Sequence, residues 1–346
     1  MKVDIKLLKE IYMRLGDDES KEMFKNRLLY SITNDSKWIF ENFRLFQEGK
    51  EIIDKIDESV CKGGGKIVLF GTGIRGQSLH KMFKKYPWKC FVDNYSELKE
   101  MQGLPVISSK KFLGEYQGEY IFITPKYKNE IIYAQLIKAG ISAEKIINVG
   151  RLQNELLKKQ YFDLKFLKQA EDREVFLDIG GFDGMTSVYF SEWSQRNNFS
   201  YIFEPDVNNI RKCRDNLSNT SLKYQIIPKG AWSEETKLHF QADADVSSKI
   251  CDAGNTSISV TTIDKIMKNE KASFIKMDIE GAELQALIGA KQTISNYKPK
   301  LAISVYHKPE DIWEIPNIIL QYNSSYKLYL RHYTLTEYDT ILYALP

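Results

Sequence analysis

The run Val175-Phe-Leu-Asp-Ile-Gly-Gly-Phe-Asp-Gly184 leaves few choices for the fold around it. It is an apolar, strand-forming stretch with an acid near its end, and it breaks into a glycine-rich turn. Three later segments repeat the plan: Tyr201-Ile-Phe-Glu-Pro205, Ile275-Lys-Met-Asp-Ile-Glu-Gly281 and Leu301-Ala-Ile-Ser-Val-Tyr-His307. Each is a short buried-strand pattern with polar or acidic residues at its C-terminal end. Open α/β sheets take ligands outside those ends, so the four segments predict one shared pocket.

The strands between and after them complete a sheet. Tyr224–Ile227 follows the second, with Lys229-Gly-Ala-Trp232 behind it. Phe274–Met277 and Leu301–Tyr306 come next, and Lys327–Leu330 and Thr340–Ala344 close the chain. Helical patterns separate the first five, which predicts a parallel sheet. No helix separates the last two, which predicts an antiparallel hairpin. That plan resembles the class I S-adenosylmethionine-dependent methyltransferase sheet.

Dinucleotide-binding folds share the first half of that sheet, and the turn chemistry separates the two. A pyrophosphate wants bare backbone N–H groups at a helix start. Asp178, just before Gly180, would repel it and suits instead the ammonium of S-adenosylmethionine. Glu204, about 20 residues past the turn, fits ribose hydroxyls in either case. The plainer alternative for Asp178 is a turn or capping carboxylate.

The chain has 346 residues, enough for two or three domains. A net charge of +3 does not point to nucleic acid. No apolar run is long enough to span a membrane, and Met1-Lys-Val-Asp-Ile-Lys-Leu-Leu8 does not read as a signal peptide. Cys61, Cys90, Cys213 and Cys251 form no C-x-x-C pair. That argues against a zinc site or redox dithiol and for free thiols in a reducing cytoplasm.

Residues 1–62 read as helices, with Leu7, Leu8, Ile11 and Leu15 at helical spacing, suited to packing or to homo-oligomerisation. Gly63-Gly-Gly65 marks a boundary. Lys66-Ile-Val-Leu-Phe-Gly-Thr-Gly-Ile-Arg-Gly76 then gives strand, G-x-G-x-x-G and helix. Residues 63–150 therefore read as a small Rossmann-like nucleotide-binding domain. Gly71, Gly73, Arg75 and Gly76 would receive a phosphate, and Asp93, after the next strand, a ribose. This stretch resembles the compact nucleotide-sugar or CoA-binding units attached to sugar-modifying enzymes; an empty structural unit is the alternative. Residues 151–172 read as a linker helix and 173–346 as the second α/β domain.

In its blocks the second domain resembles the FkbM family of methyltransferases. The matching segments are Phe176–Gly184, Ile202-Phe-Glu-Pro-Asp206, Gly230-Ala-Trp-Ser233, Thr261-Thr-Ile-Asp264, Lys276-Met-Asp-Ile-Glu-Gly-Ala-Glu283 and Thr340-Ile-Leu-Tyr-Ala344. The resemblance implies an S-adenosylmethionine-dependent methyltransferase that O-methylates a sugar, glycan or related hydroxylated metabolite. The expected cofactor-binding residues are Asp178, Gly180, Gly181, Asp183, Gly184, Glu204, Pro205, Asp206, Gly230, Ala231, Trp232 and Asp278. Gly181 stands where the family commonly has alanine, a minor change at a turn. Ser304 stands where many members carry glutamate, so no role of that glutamate transfers.

For the chemistry, Asp278 and Glu280 lie two apart at a strand end and point the same way in extended geometry. Lys276, also two from Asp278, could pair with it structurally. His307 ends the neighbouring strand and is the candidate general base, with Asp278 and Glu280 as its catalytic partners. Asp278, His307 and His332 could instead hold a divalent metal. Two other functions compete with methyl transfer. A non-catalytic nucleotide- or cofactor-binding regulatory protein would not need Asp178 and Glu204, and both are present. An oxidoreductase built on Gly71–Gly76 lacks a Tyr-x-x-x-Lys pair after that turn.

Overall fold

The computed structural model describes residues 4–62, 67–162, 164, 167, 173–195, 198–241, 249–250, 256–268 and 270–346. Its internal contacts separate two units. One comprises Met1–Ser31, Gln160–Arg331 and Asp339–Pro346; the other comprises Ile32–Lys159 and His332–Tyr338. The division differs from the one expected at residues 62, 150 and 172. The N-terminal helices do not stay together, because the second of them, Asp18–Thr33, carries the chain across the division. The helix expected over 151–172 runs from Val149 to Lys159, and much of 163–172 lies outside the described residues.

The smaller unit is built on a six-stranded sheet. Its strands are β1 (Ile67–Phe70), β2 (Trp88–Val92), β3 (Glu100–Met101), β4 (Leu104–Ile107), β5 (Tyr120–Ile123) and β6 (Ile146–Ile147), in the order β3-β4-β2-β1-β5-β6. All neighbours are parallel except β3 and β4. β1 and β5 are buried at every position, as parallel strands covered by helices on both faces must be. Val68, Phe70, Val92, Ile121, Ile123 and Leu136 belong to its core. The order turns back at β1, between β2 and β5, and the Gly71–Gly76 turn follows that strand.

The larger unit carries β7 (Glu174–Ile179), β8 (Asn198–Phe203), β9 (Tyr224–Ile227), β10 (Gly230–Ala231), β11 (Thr236–Gln241), β12 (Lys249–Ile250), β13 (Thr256–Thr261), β14 (Phe274–Met277), β15 (Lys300–Ser304), β16 (Lys327–His332) and β17 (Thr340–Leu345). Seven of these form the main sheet, in the order β16-β17-β15-β14-β7-β8-β9. The five central and right-hand strands, β15 to β9 in that order, are parallel and β17 is antiparallel to β15. The five parallel strands, and a closing strand that runs against them, follow the plan that the strand pattern predicts. Aromatic rings fill the layer beside β7 and β14; Phe176 and Phe190 stack at 4.2 Å between centroids.

A second sheet, β10-β13-β11-β12, was not anticipated. Its strands have no apolar run to announce them: β11 begins Thr-Lys-Leu and β13 reads Thr-Ser-Ile-Ser-Val-Thr. The alternation buries Ile258 and Val260 on one face, and those two side chains become a wall of the site.

Candidate active site

The turn after β7 sets the site's position. Gly180 has φ 86°, in the left-handed region that favours glycine, and a Cβ there would collide with the Asp278 carbonyl. The glycine lets the ends of β7 and β14 close on each other. Gly181 is also tight, since an added Cβ would run into the buried side chain of Ile202. Glycine at 181 is therefore a larger departure from alanine than the turn alone suggests.

Asp178, expected to meet the cofactor's ammonium, does not line the cleft described below. It is fully buried. Lys276 lies directly beside it in the β7–β14 register, with Nζ 3.1 Å from Oδ1. The Ser187 hydroxyl donates to Oδ2 at 2.8 Å. Lys276 also donates to the Gly180 carbonyl at 2.6 Å. Burial depresses the lysine's pKa, but the charges of Asp178 and Asp278 more than offset it and the net shift is upward. The lysine therefore pairs with Asp178 rather than with Asp278, and together they fasten the glycine turn.

A cleft opens at the C-terminal ends of β7, β8 and β14. Of the expected cofactor-binding residues, Gly180, Glu204, Pro205, Asp206, Gly230, Ala231 and Asp278 line it; Asp178, Gly181, Asp183, Gly184 and Trp232 do not. Phe182, Asn209, Ile258, Val260 and Ala282 also line it. Glu204 directly follows β8 and is held by two backbone donors: Phe182 N–H at 2.8 Å and Asp206 N–H at 2.9 Å. Burial pushes its carboxyl upward, and the backbone donors offset this only in part. Asp206 caps the helix Val207–Leu217, accepting from the N–H groups of Asn208 and Asn209, the standard role of an acid at that position. Asp183 accepts from Met185 N–H at 3.1 Å. Gly184, at φ 78°, starts the next helix.

Along one edge of the cleft the charge is acidic. Asp278 and Glu280 both line it. Two phenols, from segments far apart in sequence, hold Asp278: Tyr161 donates to Oδ2 at 3.0 Å and Tyr306 to Oδ1 at 3.1 Å. Burial, and then the Asp278 charge, drives both phenol pKa values well up. Glu280 adopts φ 57°, a left-handed backbone that costs a side-chain-bearing residue about 1–2 kcal/mol.

His307 lies behind this edge and does not line the cleft. Its side chain is 8% exposed. Nδ1 is 2.9 Å from Glu283 Oε1, and Nε2 is 3.5 Å from Asp278 Oδ1 and 3.6 Å from Glu280 Oε2. Burial disfavours the imidazolium, but Glu283, Asp278 and Glu280 more than offset that, and its pKa rises to about 9. At neutral pH this ring therefore carries a proton, whereas the expected base would be free to take one. Asp278, Glu283 and His307 each bring a ligand atom within 4.8 Å of the others. His332 is not in that group. It is fully buried and stacks on Phe46 at 6.5 Å, both residues belonging to the smaller unit, and Glu283, not His332, is the third member of the group. Glu283, Tyr161 and Tyr306 are the residues that sequence reasoning missed. Glu283 and Tyr306 stood in quoted segments; Tyr161 lay in the stretch read as a linker helix, with no polar motif around it.

In the smaller unit the expected nucleotide residues separate. Asp93 is committed to the fold: it accepts from the Thr72 N–H and hydroxyl and from the N–H groups of Tyr95 and Ser96. It secures the glycine turn and is not left open for a ribose. Arg75 donates to the Gly150 carbonyl at 3.3 Å and to Asn154 Oδ1 at 2.9 Å. Gly71 has φ 109°, and Gly76 packs against the Gly71 carbonyl. Gly73 differs from both, because a Cβ there would meet nothing within 4 Å.

The sequence of residues 178–330 matches the family described as Methyltransferase FkbM domain. Residues 178–330 carry an FkbM methyltransferase domain. A second match, described as C2185-like, N-terminal, covers residues 64–147. No curated protein matches the chain. Among solved structures, the chain is similar to a methyltransferase FkbM from Methylobacillus flagellatus KT. The identity is 21% and the TM-score 0.50, over 86% of this chain and 99% of that one, a likeness of fold. It is also similar to Aeropyrum pernix fibrillarin in complex with natively bound S-adenosyl-L-methionine, at 14% identity and TM-score 0.35, over 55% of this chain and 72% of that one. Within the FkbM domain the cleft falls at the strand ends that the family's blocks supply. Ser304, where many members carry glutamate, is fully buried at the end of β15 beside Ile341, and its hydroxyl has no hydrogen-bond partner among the described residues.

Proposed function

We propose that the chain is an S-adenosylmethionine-dependent methyltransferase that O-methylates a sugar, a glycan or a nucleotide-linked metabolite. The observation that carries this is the convergence of Gly180, Glu204 and Asp278 on one cleft inside an FkbM domain. Glu204 has one lone pair per oxygen taken by backbone N–H groups, which leaves it capacity to accept from ribose hydroxyls. With Asp178 consumed by Lys276, the negative charge along the cleft comes from Glu204, Asp206, Asp278 and Glu280, and it suits a cationic cofactor. The cofactor would supply the methyl group, which the acceptor oxygen takes as the carbon–sulfur bond breaks onto sulfur. The Asp278–Glu280 edge takes the acceptor hydroxyl, orients it and draws off its proton. His307 stands behind the edge, with Nε2 3.5 Å from Asp278 Oδ1 and 3.6 Å from Glu280 Oε2.

Calorimetry on the full chain with S-adenosylmethionine and S-adenosylhomocysteine tests the cofactor. Binding of both is expected. Glu204→Ala should weaken it by about 10- to 100-fold, the loss of hydrogen bonds to a charged group, with an unchanged melting curve as the control. A wild type that binds neither compound would end this reading.

We also propose that the smaller unit binds a phosphate-bearing ligand at the Gly73 turn. Support comes from Gly73 itself. Gly71 and Gly76 are required by backbone conformation and packing, whereas Gly73 opens a helix where no neighbour needs the space. A bare backbone facing open space at a helix start suits an anion.

A further inference from the structure

The acidic edge is closed from behind by a buried imidazole. His307 Nε2 is buried, has no hydrogen-bond partner among the described residues, and points between two carboxylates. Its distances of 3.5 Å to Asp278 Oδ1 and 3.6 Å to Glu280 Oε2 exceed a charge-assisted hydrogen bond of roughly 2.7–2.9 Å. They approach the separation of neighbouring ligands around one ion, which is about 3.0–3.4 Å for bonds of about 2.1 Å. We infer that Asp278, Glu280 and His307 Nε2 form a site for one divalent cation.

The surrounding residues are arranged as a metal site requires. Glu283 lies 2.9 Å from His307 Nδ1 and is itself fixed by the Ile279 N–H at 2.8 Å. A carboxylate on the far nitrogen orients an imidazole ligand and strengthens its donation. Tyr161 and Tyr306 fix Asp278 in the same way. One imidazole with two carboxylates suits manganese, magnesium or zinc. On binding, Nε2 gives up its proton to solvent. Because Asp278 and Glu280 line the cleft, the ion's remaining positions open toward it. They would chelate two neighbouring hydroxyls of an acceptor and acidify the one to be methylated. That use of the ion rests on the methyltransferase reading; its binding does not.

The test uses the full chain, stripped with chelator and titrated with Mn2+ by calorimetry and by electron paramagnetic resonance, with Mg2+ and Zn2+ as competitors. One Mn2+ per chain is expected. His307→Gln and Glu280→Gln should each lower affinity by at least tenfold, and Glu283→Gln by about 10- to 100-fold although it acts only through His307. Glu280 is a third exposed, so its variant keeps the test valid if the buried ones fail to fold. A wild type that binds none of the three ions stoichiometrically overturns the site, as does wild-type affinity in Glu280→Gln. S-adenosylhomocysteine binding is measured on the same stripped chain. If that compound binds and Mn2+ does not, the cation site falls and the methyltransferase reading stands. If only Mn2+ binds, the cation site stands and the methyltransferase reading falls.

Discussion

Lys276 is the side chain whose role changes most between sequence and structure. Its spacing from Asp278 suggested a local pair, but the parallel register of β7 and β14 sets it against Asp178. Both groups are buried, so removing one leaves the other charged and unpaired. Lys276→Met should therefore destabilise the protein by about 3–5 kcal/mol, measured by urea unfolding. Lys276→Met combined with Asp178→Leu should recover most of that loss, because apolar residues can replace a buried pair. A single variant as stable as the wild type would show that the pair holds nothing. Asp178 was legible as an important acid because it sits where a strand breaks into glycines. Its partner was not legible, because register between strands nearly one hundred residues apart is a tertiary quantity. The same limit hid Tyr161, whose hydroxyl reaches Asp278 from a segment that reads only as a linker helix.

Among the elements, the parallel strands were legible because most are short apolar runs set off by turns, and the central ones, such as β7 and β14, are buried at every position. Tyr224–Ile227 and Phe274–Met277 occur where the pattern puts them. The small sheet that supplies Ile258 and Val260 was hidden by its Thr- and Ser-rich strands, whose burial comes from alternation on one face only. Glycines were legible as turns but not by function: in Gly71–Gly76, three similar residues answer to three different demands. Gly73 is the one whose replacement the fold should tolerate. Gly73→Asp is expected to melt with the wild type, to which an acid at a helix start is no burden, and to lose any thermal shift that nucleotide sugars, CoA or dinucleotides give the wild type. Equal shifts in both would remove the anion from this turn, and no shift in the wild type would leave the turn a purely structural element.

At the scale of the whole molecule, neither unit is one continuous stretch. The chain passes between them after Ser31, Lys159, Arg331 and Tyr338. Residues 1–31 therefore count with the FkbM domain, which no motif in them announced. Their attachment is polar and specific. Gly16 N–H donates to the Leu328 carbonyl at 2.8 Å, and the Ser20 hydroxyl accepts from Leu330 N–H at 3.0 Å. Arg331 reaches Asp17 at 2.8 Å and Glu19 at 3.4 Å. Asp17 also caps the following helix by accepting from Ser20 N–H at 2.8 Å. Burial pushes the Asp17 carboxyl up, but Arg331 and Ser20 more than offset it, and its folded-state pKa lies below the ordinary 3.8. The folded protein thus holds fewer protons than the unfolded chain just below that value, and stability falls with pH there. The contribution of Asp17 is complete above about pH 4 and is lost as pH drops through its lowered folded value. Asp17→Asn should melt below the wild type at pH 7, and the gap should shrink as pH falls under about 4, where the wild-type side chain becomes neutral as well. Melting curves collected from pH 7 down to the acid limit check this. A gap that stays constant over the whole range would mean that the charge of Asp17 does not hold the N-terminal segment to β16.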